Sequence, residues 1–530
     1  MLKKTRIILS LAFLVLFTLI FIGIDGFPER ISRGAAYFQL VPVIISVFGA
    51  FSAAALAGFL FLIVMTLVFG RIYCSTLCPL GTFQDFFINL KYKKKKKEKF
   101  FRYAKDHKLL RNMFTVAVFG MFVFGAGFLL IIFDPFSIFG RFVSGVIKPG
   151  IEPLVRGVES AAAGFDIYDT PHIRMHPVSV FAFLFALISA AAIGITAFYK
   201  GRLFCNTLCP AGGILALISR FSFLRIRINR DACNACGKCE VVCKASCISI
   251  KEKKVDFERC IACFNCIDSC PENGIAYSPG IMLKNSAEKA EKGEKRRGII
   301  RAAAAGIAFL LPGRRLLAEF SEGPVPRKPT LPVMPPGAGS LEKFNNLCTA
   351  CHLCASACPQ NVIGVTLFGY GLSGILQPKL DFSKSYCLYD CTVCTEVCPA
   401  GALLPLNTQE KRRSQIGIVH LEKKNCISYV DGEPCTVCTE HCPVKAVYSV
   451  NYKGVLAPEI KPEICIGCGA CEYVCPAVPY KAIYVDGNAV HKRAGNPDGT
   501  RRRGEWYEEE KFNRPGRGRN RGSNGDVFPF

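Results

Sequence analysis

The stretch that decides the fold is the cysteine run Cys348-Thr349-Ala350-Cys351-His352-Leu353-Cys354-Ala355-Ser356-Ala357-Cys358-Pro359. Three similar runs follow, and the first cysteines of the four runs are each 39 residues apart. Cysteines at every third residue let a short loop wrap a four-iron cluster, while a fourth cysteine before proline reaches a partner cluster. The runs therefore predict four [4Fe-4S] clusters. Their cysteines are Cys348, Cys351, Cys354 and Cys358; Cys387, Cys391, Cys394 and Cys398; Cys426, Cys435, Cys438 and Cys442; and Cys465, Cys468, Cys471 and Cys475.

Zinc, a disulfide framework and covalent haem are the competing interpretations of these runs. Structural zinc needs two ligand pairs and leaves no use for a third evenly spaced cysteine or for the proline. Disulfide frameworks belong to small secreted scaffolds, whereas this chain has 530 residues. Cys348, Cys351 and His352 match the C-x-x-C-H haem motif. Because haem would leave Cys354 and Cys358 unused, we predict no haem and interpret His352 as an incidental loop residue.

Two upstream runs have the spacing of a small dicluster ferredoxin. Lys244 stands where proline usually follows the fourth cysteine of the first run. Cys247 is a spare thiol that would replace Cys243 only if the local turn shifted, and we interpret it as a packing residue. With these two runs the chain is expected to hold six [4Fe-4S] clusters. Crossed ligation groups Cys233, Cys236 and Cys239 with Cys270, and Cys260, Cys263 and Cys266 with Cys243.

Composition predicts several modules, one of them in a membrane. A chain of this length is too long for one core. A net charge of +25 combined with positive mean hydropathy is unusual for a soluble basic protein. The apolar residues are therefore expected to be concentrated in membrane spans. Four apolar stretches have the required length, at residues 7–24, 42–69, 113–133 and 178–199.

Charges and histidines further define the membrane module. The first stretch lacks a small-residue cleavage site, so we interpret it as a span and not as a signal peptide. Lysines follow the second span, and Lys200 and Arg202 follow the fourth, which predicts that both ends of the module are cytoplasmic. We interpret the lysine run as a topology determinant, not as a nucleic-acid site. None of the spans contains histidine, which argues against a haem-b quinol oxidase.

Spans two and four end in one repeated phrase. Its copies are Gly70-Arg71-Ile72-Tyr73-Cys74-Ser75-Thr76-Leu77-Cys78-Pro79 and Gly201-Arg202-Leu203-Phe204-Cys205-Asn206-Thr207-Leu208-Cys209-Pro210. Cysteines at i and i+4 share a helix face. Each pair can form a dithiol, bind a soft metal, or converge with its twin on one centre. The alternative is that these cysteines are small apolar residues that fit a membrane interface.

The remaining segments connect or follow the cluster domains. Arg296-Arg297-Gly298-Ile299-Ile300-Arg301 precedes an apolar run at residues 302–311, which is too short for an ordinary span. The segment is typical of a twin-arginine export signal. A core or amphipathic helix with basic flanks is the alternative. From about His491 the chain is rich in arginine and glycine, which predicts a disordered basic tail.

In these motifs the chain resembles two accessory quinol dehydrogenase proteins of periplasmic nitrate reductase systems, joined end to end. Residues 1–280 resemble the NapH-type membrane protein in their four spans, their two CxxxCP phrases and their dicluster ferredoxin. Residues 296–480 resemble the NapG-type partner in the arginine leader, the phrase Pro335-Pro336-Gly337-Ala338 and the four runs. The fusion itself, and the lack of a molybdopterin or haem module, leave the terminal acceptor open.

The resemblance implies electron transfer between the membrane quinone pool and a redox partner protein, such as a cytochrome or reductase subunit. Cys74, Cys78, Cys205 and Cys209 then become candidate redox or metal thiols. Arg71 and Arg202 become candidates to orient a quinone headgroup, or are simple membrane anchors. Proteins that reduce copper during oxidase maturation share this architecture, so a metal-handling assembly factor is the alternative. A redox-sensing regulator lacks a DNA-reading element, and no nucleic-acid partner is expected.

Similarity to four-cluster subunits of molybdenum enzymes implies how the four C-terminal runs pair. The first run would pair with the fourth and the second with the third. The implied ligand sets are Cys348, Cys351, Cys354 and Cys475; Cys465, Cys468, Cys471 and Cys358; Cys387, Cys391, Cys394 and Cys442; and Cys426, Cys435, Cys438 and Cys398.

The predicted fold class is a four-helix membrane module combined with α+β ferredoxin-like domains. The expected location is a prokaryotic cytoplasmic membrane, with the dicluster domain cytoplasmic and the four-cluster domain extracytoplasmic. In the alternative arrangement the twin-arginine segment does not cross the membrane, and both ferredoxin domains are cytoplasmic. The predicted organisation is a membrane domain at 1–220, a dicluster domain at 221–280, a linker at 281–340, a four-cluster domain at 341–490 and a tail at 491–530.

Overall fold

The computed structural model describes three parts of the chain. They are a helical bundle, a dicluster domain and a C-terminal domain. The twin-arginine segment predicted at residues 296–311 lies outside the described residues, as does residue 496 onward of the predicted tail. The described residues are 2–24, 28–50, 52–94, 101, 103–104, 106–125, 127–163, 179–279 and 331–495.

The helical bundle comprises the described residues between 2 and 219. Ser52 and Ser179 accept a hydrogen bond from the helix that each precedes, which satisfies a backbone N–H at the first turn. A π-helical turn at Val143–Ile147 joins two of the helices. The α-helices are α1 (Leu2–Ile22), α2 (Glu29–Ala36), α3 (Leu40–Ala50), α4 (Ala53–Phe69), α5 (Tyr73–Thr76), α6 (Pro79–Lys94), α7 (Lys108–Val123), α8 (Phe128–Phe133), α9 (Pro135–Phe142), α10 (Lys148–Ala163), α11 (Val180–Lys200), α12 (Leu203–Thr207) and α13 (Pro210–Ser219).

Two described helices, α1 and α11, are long and apolar enough to cross a membrane. A third candidate is the pair α2 and α3, which is bent by 99°. The stretches predicted as spans two and three are each divided, into α3 and α4 and into α7 and α8. A module of four uninterrupted spans is therefore not confirmed.

The dicluster domain is a small α+β unit that follows α13. Its first and last strands pair antiparallel, with Leu224 opposite Pro279. The two short inner strands also pair antiparallel. The elements are β1 (Leu224–Ile228), α14 (Lys238–Val241), β2 (Ile248–Ser249), β3 (Lys254–Val255), α15 (Asn265–Ser269) and β4 (Ile275–Pro279).

The C-terminal domain, residues 331–495, repeats this pattern of short helices and two-stranded antiparallel sheets. Its sheets pair β5 with β6, β7 with β10, and β8 with β9. Short 3₁₀ turns lie at Leu372–Gly374, Lys423–Asn425 and Pro462–Ile464. The named elements are α16 (Leu341–Leu347), α17 (Leu353–Ala357), β5 (Ile363–Val365), β6 (Pro378–Leu380), α18 (Val393–Val397), α19 (Thr408–Arg413), β7 (Ser414–Leu421), α20 (Ile427–Val430), α21 (Val437–Glu440), β8 (Val447–Tyr452), β9 (Val455–Ile460), α22 (Ala470–Val474) and β10 (Ile483–Arg493).

Both predicted boundaries of the C-terminal domain need correction. Val333 and Met334 are buried in the core, so the domain already includes residues that were assigned to the linker. Strand β10 continues to Arg493, and buried His491 donates its backbone N–H to the carbonyl of Gly339. The predicted tail therefore begins too early, because Lys492 and Arg493 pair with Gln415 and Ser414 of β7.

The two ferredoxin domains contact opposite ends of the bundle. At the first turn of α1, Lys3 forms an ion pair with Asp268 of the dicluster domain at 2.7 Å. Directly after α1, Gly23 lies against the carbonyl of Ser356 in the C-terminal domain. A 21-residue helix is about 30 Å long, and this helix separates the two contacts.

Helices α4, α7 and α11 connect the same two ends. Phe69, at the end of α4, accepts a hydrogen bond from Tyr277 of the dicluster domain, whereas Ala50, just before α4, packs on Gly401. Lys108 starts α7 with an ion pair to Glu258, and Gly125 after this helix packs on Asn346. Phe185 of α11 packs with Ala350 and Leu376 of the C-terminal domain. Beyond the other end of α11, the backbone N–H of Arg202 donates to the carbonyl of Lys244. The bundle thus acts as a spacer between the domains.

Replacing Gly140 with alanine is expected to weaken the contact between the bundle and the C-terminal domain. A Cβ atom there would lie 2.6 Å from the carbonyl oxygen of Cys351 and would also collide with Phe21. Overpacking of this kind costs about 1–3 kcal/mol. We expect a lower thermal denaturation midpoint for the detergent-solubilised protein. Gly120→Ala is the matched control, because nothing lies within 4 Å of a Cβ on that helical glycine; equal midpoints would contradict the proposed contact.

Candidate iron–sulfur centres

Two cavities in the dicluster domain are each lined by four thiols in the crossed arrangement. Cys233, Cys236, Cys239 and Cys270 line the first cavity, which we name set 1. Cys243, Cys260, Cys263 and Cys266 line the second cavity, named set 2, together with the spare Cys247. Four thiols around one cavity are the ligand complement of a [4Fe-4S] cluster, so the residues present fit that group.

Left-handed backbone conformations wrap the chain around these cavities. In each C-x2-C-x2-C run, the residues directly before and after the second cysteine both have positive φ. In the run that starts at Cys348 these residues are Ala350, with φ of 51°, and His352, with φ of 66°. Glycines, which adopt this conformation without a steric penalty, occupy both places in the last run, at Gly467 and Gly469. The glycine pair is therefore a sequence signal for the wrap.

The C-terminal domain pairs its cysteine runs differently from the prediction. Cys475 lines a cavity with Cys426, Cys435 and Cys438, not with Cys348. Burial chiefly raises the pKa of Cys354, and the neighbouring thiols of Cys351, Cys348 and Cys398 raise it further. Burial and neighbouring thiols also raise the pKa of Cys394 and that of Cys471. Cys358 is one of the neighbours of Cys394, and Cys442 is one of the neighbours of Cys471. The resulting groups are set 3 (Cys348, Cys351, Cys354, Cys398), set 4 (Cys358, Cys387, Cys391, Cys394), set 5 (Cys442, Cys465, Cys468, Cys471) and set 6 (Cys426, Cys435, Cys438, Cys475).

The prediction that the first run pairs with the fourth and the second with the third is therefore wrong. The structure instead crosses neighbouring runs, the first with the second and the third with the fourth. Each neighbouring pair forms its own dicluster unit, as in the domain that contains sets 1 and 2. Crossing between adjacent runs keeps the connecting segments short, whereas the implied pairing would have joined the two ends of the domain.

The four C-terminal sets form a row that starts at the bundle. Arg141 of the bundle donates to the carbonyl of Ala350, beside set 3. Arg33 of α2 donates to the carbonyl of Thr395, next to Cys394 of set 4. The two dicluster units are joined where the N–H of Cys387 donates to the carbonyl of Cys468 at 2.9 Å. Sets 5 and 6 belong to one unit, in which α21 packs on α22.

The surroundings of His352 and Cys247 clarify the roles of these two residues. His352 is buried, its Nε2 lies 2.9 Å from the carbonyl oxygen of Leu376, and burial lowers its pKa to about 4. It is therefore a neutral core residue beside set 3. The Cys247 thiol lies 3.5 Å from Cys243, and the hydrogen bond between them lowers the pKa of Cys243 to about 7. Cys247 thus supports the thiolate of its neighbour.

Burial disfavours bare thiolates in several sets. It raises the pKa of Cys263 to about 11 and that of Cys468 to about 12. Metal ligands must be deprotonated, so cluster binding at these sites releases protons. Among the residues that the structure describes, no group of three or more His, Cys, Asp or Glu side chains is close enough to hold a single metal ion. This holds for the six sets as well as for the CxxxCP cysteines.

The two CxxxCP phrases face each other across a local pseudo-twofold arrangement. Arg71 donates to the carbonyl of Cys205 at 2.9 Å, and Arg202 donates to the carbonyl of Cys74 at 3.2 Å. Arg71 also donates to Asn206 of the other repeat. The four cysteines are all buried in one continuous core. The two repeats therefore lie against each other, and each arginine holds the backbone of the opposite cysteine pair.

Arg71 and Arg202, which were predicted to orient a quinone headgroup or to anchor the membrane module, make their contacts within the protein. Both side chains are completely buried, and each guanidinium group is held by the opposite repeat. Neither arginine lines the pocket that lies between the bundle and the dicluster domain. Their contacts indicate that they join the two halves of the CxxxCP centre.

That pocket, about 470 Å³ in volume, lies where α1, α6 and the dicluster domain meet. Its charged wall contains Arg6, Asp85 and Lys244, in which Asp85 accepts from Arg6 at 3.4 Å and from Lys244 at 2.9 Å. Lys244 directly follows Cys243 of set 2. Sequence reasoning missed this pocket, although the lysine in place of proline was its signal. The apolar wall is formed by Ile7, Leu11, Leu14 and Phe86.

Comparisons with known proteins agree with the cysteine sets. A family described as a 4Fe-4S binding domain matches residues 51–97 and 181–230, which contain the two CxxxCP phrases. A 4Fe-4S dicluster domain family matches residues 347–402 and 433–479, and a second 4Fe-4S binding domain family matches residues 257–274. The first dicluster match contains the first and second C-terminal runs, and the second match contains the third and fourth runs except Cys426.

Curated relatives are ferredoxin-type proteins. Ferredoxin-type protein NapF of Escherichia coli is 28% identical over 160 residues, which cover 30% of this chain and 89% of NapF. The putative electron transport protein YccM of Escherichia coli is 23% identical over 295 residues, 52% of this chain and 69% of YccM. Methylamine utilization ferredoxin-type protein MauM of Methylophilus methylotrophus is 27% identical over 146 residues, 27% of this chain and 65% of MauM.

No solved structure is significantly similar to this chain. The family matches and the relatives together support a role as a ferredoxin-type iron–sulfur electron-transfer protein.

Paired cysteine replacements test the observed ligand sets. Because Cys426 and Cys475 line one cavity, Cys426→Ala and Cys475→Ala combined are expected to remove no more iron than either change alone, about four atoms. Cys348→Ala combined with Cys475→Ala is expected to remove about eight atoms, because these residues belong to different sets. Iron and acid-labile sulfide in anaerobically purified protein provide the measurement. A loss of about eight iron atoms from the Cys426/Cys475 variant and about four from the Cys348/Cys475 variant would instead show that the first run pairs with the fourth.

Proposed function

We propose that this chain carries electrons between a membrane quinone pool and a redox partner protein. The observation that carries the proposal is the placement of two ferredoxin domains at opposite ends of one helical bundle. When bound, each [4Fe-4S] cluster supplies a one-electron carrier. The residues of the chain arrange the C-terminal sets in a row that leads away from the bundle, as an electron path to a partner requires.

In this proposal the chain is a fusion of a NapH-like unit and a NapG-like unit. The NapH-like unit comprises the bundle with sets 1 and 2, and the NapG-like unit comprises sets 3 to 6. The bundle lies in a cytoplasmic membrane, with the dicluster domain on the cytoplasmic side and the C-terminal domain on the other side. The separation of about 30 Å along α1 matches the thickness of a hydrocarbon core.

The quinol is proposed to bind in the pocket between α1, α6 and the dicluster domain. A volume of about 470 Å³ is within the usual range for small-molecule sites. The apolar wall suits the ring and the first part of an isoprenoid tail, while Arg6 and Lys244 offer donors to the ring oxygens. Asn265 also lines the pocket, and its buried Oδ1 has no hydrogen-bond partner. Such an unpaired acceptor is suited to a hydroxyl group of the quinol.

The reaction at this pocket is the oxidation of a quinol to a quinone, with release of two electrons and two protons. Lys244 and Asn265 are sequence neighbours of set 2 cysteines, so the ring would lie beside that set. The protons would leave through the mouth, where the side chains of Lys3 and Asp268 are exposed to solvent. Asp85 holds the cations of the charged wall in position.

Filling the pocket tests the quinol site. Leu11→Trp is expected to abolish most quinol oxidation, because the indole would occupy the space of the ring, while the iron content stays unchanged. Leu9→Trp on the opposite face of α1 is the matched control, since Leu9 is exposed and lies outside the pocket. The measurement is the anaerobic reduction of the clusters by a soluble quinol analogue. Equal rates in the two variants would remove the pocket from the proposal.

The membrane arrangement is tested separately from the chemistry. A protease site inserted after Glu252, in the exposed turn between β2 and β3, is expected to be cut only in inside-out vesicles. A site inserted after Gly454, in the exposed turn between β8 and β9, should be cut only from the opposite side, in spheroplasts. Cleavage of both sites from the same side would favour two cytoplasmic ferredoxin domains.

Metal handling is the second candidate function, and the convergence of the four CxxxCP thiols favours it specifically. Soft thiolates select Cu(I) over harder cations. In that function the ferredoxin sets would supply the electrons that reduce Cu(II), and the bundle would retain Cu(I). Stoichiometric copper in the purified protein, with no response to quinol, would support this candidate.

A further inference from the structure

Set 1 contains the most exposed cysteine of the chain. All 29 cysteines lie in the described ranges, and among them Cys236 alone is exposed. Cys233 and Cys270, two further members of set 1, are partly exposed. Electron transfer between two proteins requires their carriers to approach closely. The exposed ligand therefore marks the edge at which set 1 is accessible to a second protein.

The loop around Cys236 is uncovered, whereas the matching loops of two other sets are packed. Ala235 and Gly237 flank Cys236, and both have positive φ. Ala235 is exposed, and a Cβ on Gly237 would have nothing within 4 Å. By contrast, Ala262 of set 2 and Ala350 of set 3, which match Ala235, are at most 1% exposed. The loop of set 1 therefore has room for a partner surface, which these other loops lack.

Charge is distributed unevenly over the dicluster domain. Asp268, Glu258 and Glu240 each bind a residue of the bundle. The ammonium group of Lys253 donates to the carbonyl of Cys233, which places the turn between β2 and β3 beside set 1. The face around Cys236 carries an excess of positive charge. Over residues 230–254 and 270–273, the charged side chains for which the structure shows no contact with the bundle are five cations, Arg230, Lys238, Lys251, Lys253 and Lys254, and three carboxylates, Asp231, Glu252 and Glu272.

We propose that this face, which we name the set 1 face, is a docking surface for a soluble, acidic protein that carries single electrons. It comprises Cys236 with its neighbours Ala235 and Gly237 and the cations Lys238 and Lys251. The reduced carrier gives up one electron to the cluster held by set 1, and no covalent bond forms or breaks. Complementary charge increases the rate of such encounters. Electron-transfer complexes use small interfaces, so a patch of this size is sufficient.

The set 1 face is separate from the pocket proposed for the quinol. Among the described residues, none lines both the cavity of set 1 and that pocket. The two sets of the domain are nevertheless neighbours, because α14, which carries Cys239, packs on α15, which carries Cys266. Electrons from the carrier thus enter the chain at set 1 and continue to set 2. The face gives the protein a second entry for electrons, and the inference does not rest on quinol oxidation.

Electron transfer from flavodoxin hydroquinone to the unmodified protein is the first test, because this probe is an acidic, soluble one-electron donor. The detergent-solubilised holoprotein is mixed with it anaerobically and without quinol, and formation of flavodoxin semiquinone is followed by stopped flow. We expect a rate that falls steeply with rising ionic strength. Flavodoxin with amidated carboxylates should react about tenfold more slowly or less. Equal rates for the two forms of flavodoxin, or a rate independent of ionic strength, would overturn the proposal.

Charge reversal tests the location of the docking surface. Lys238→Glu combined with Lys251→Glu is expected to slow semiquinone formation about tenfold at low ionic strength, while the iron content and the reduction by dithionite stay unchanged. Lys384→Glu combined with Lys424→Glu is the matched control, because both lysines are exposed on the C-terminal domain. An equal or larger effect of the control pair would contradict docking at the set 1 face.

Zero-length cross-linking locates the contact without any substitution. A carbodiimide is expected to join carboxylates of flavodoxin to Lys238, Lys251 or Lys254 of the holoprotein, and mass spectrometry identifies the joined peptides. Cross-links from these lysines to a second copy of this chain, or from flavodoxin to the C-terminal domain instead, would rule out the proposed docking. These results concern set 1 alone, because quinol oxidation is measured separately with a soluble quinol analogue.

Discussion

The architecture depends on one buried carboxylate. Asp85 of α6 accepts from Arg6 of α1, from Arg202 beside the second CxxxCP phrase, and from Lys244 of the dicluster domain. It thereby fixes three separate segments around one point. Removing one partner from a buried ion pair costs about 3–5 kcal/mol, because the other charge remains buried. Here one carboxylate serves three cations, so the relative position of bundle and ferredoxin depends strongly on this contact.

The bundle both separates the two ferredoxin domains and connects them. Helices α1, α4, α7 and α11 all join the dicluster end to the C-terminal end, yet α4 and α7 are only 17 and 16 residues long. Shorter helical segments span the rest of the distance between the two ends of the bundle. In one of them, Gln39 between α2 and α3 donates to the carbonyl of Leu77 in the first CxxxCP phrase. Arg33 of α2 reaches Thr395. The hairpin of α2 and α3 thus links the thiol centre to the C-terminal domain.

Local spacing allowed the cysteine runs and the repeated phrase to be predicted from the sequence, because ligand geometry acts over a few residues. The grouping of Cys243 with Cys260 could be predicted for the same reason. The partner of Cys475 could not be predicted in this way, because every fourth cysteine of the C-terminal runs is followed by proline and the motif does not reveal which run that cysteine reaches. The implied pairing of the first and fourth runs came from resemblance, and the fold replaced it with two adjacent dicluster units.

The breaks within the apolar helices could not be predicted from the sequence either. Hydropathy detects apolar composition at residues 42–69, but the turn between α3 and α4 is set by the docking of Ala50 on Gly401, a contact between residues 351 positions apart. The arginines of the repeated phrase illustrate the same limit. Their position beside apolar helices is typical of membrane anchors, whereas the reciprocal contacts of Arg71 and Arg202 appear only when the repeats face each other.

Lys244 shows how a departure from a motif can carry more information than agreement with it. Proline after the fourth cysteine directs the chain away from the cluster, and its replacement leaves a flexible cation next to Cys243. In the fold this cation is 3% exposed and lies in the wall of the junction pocket. The same residue also accepts the backbone N–H of Arg202 through its carbonyl. One substitution in the ferredoxin motif therefore joins set 2 to the pocket through its side chain and to the CxxxCP centre through its backbone. This double contact places both sites within one continuous structural unit.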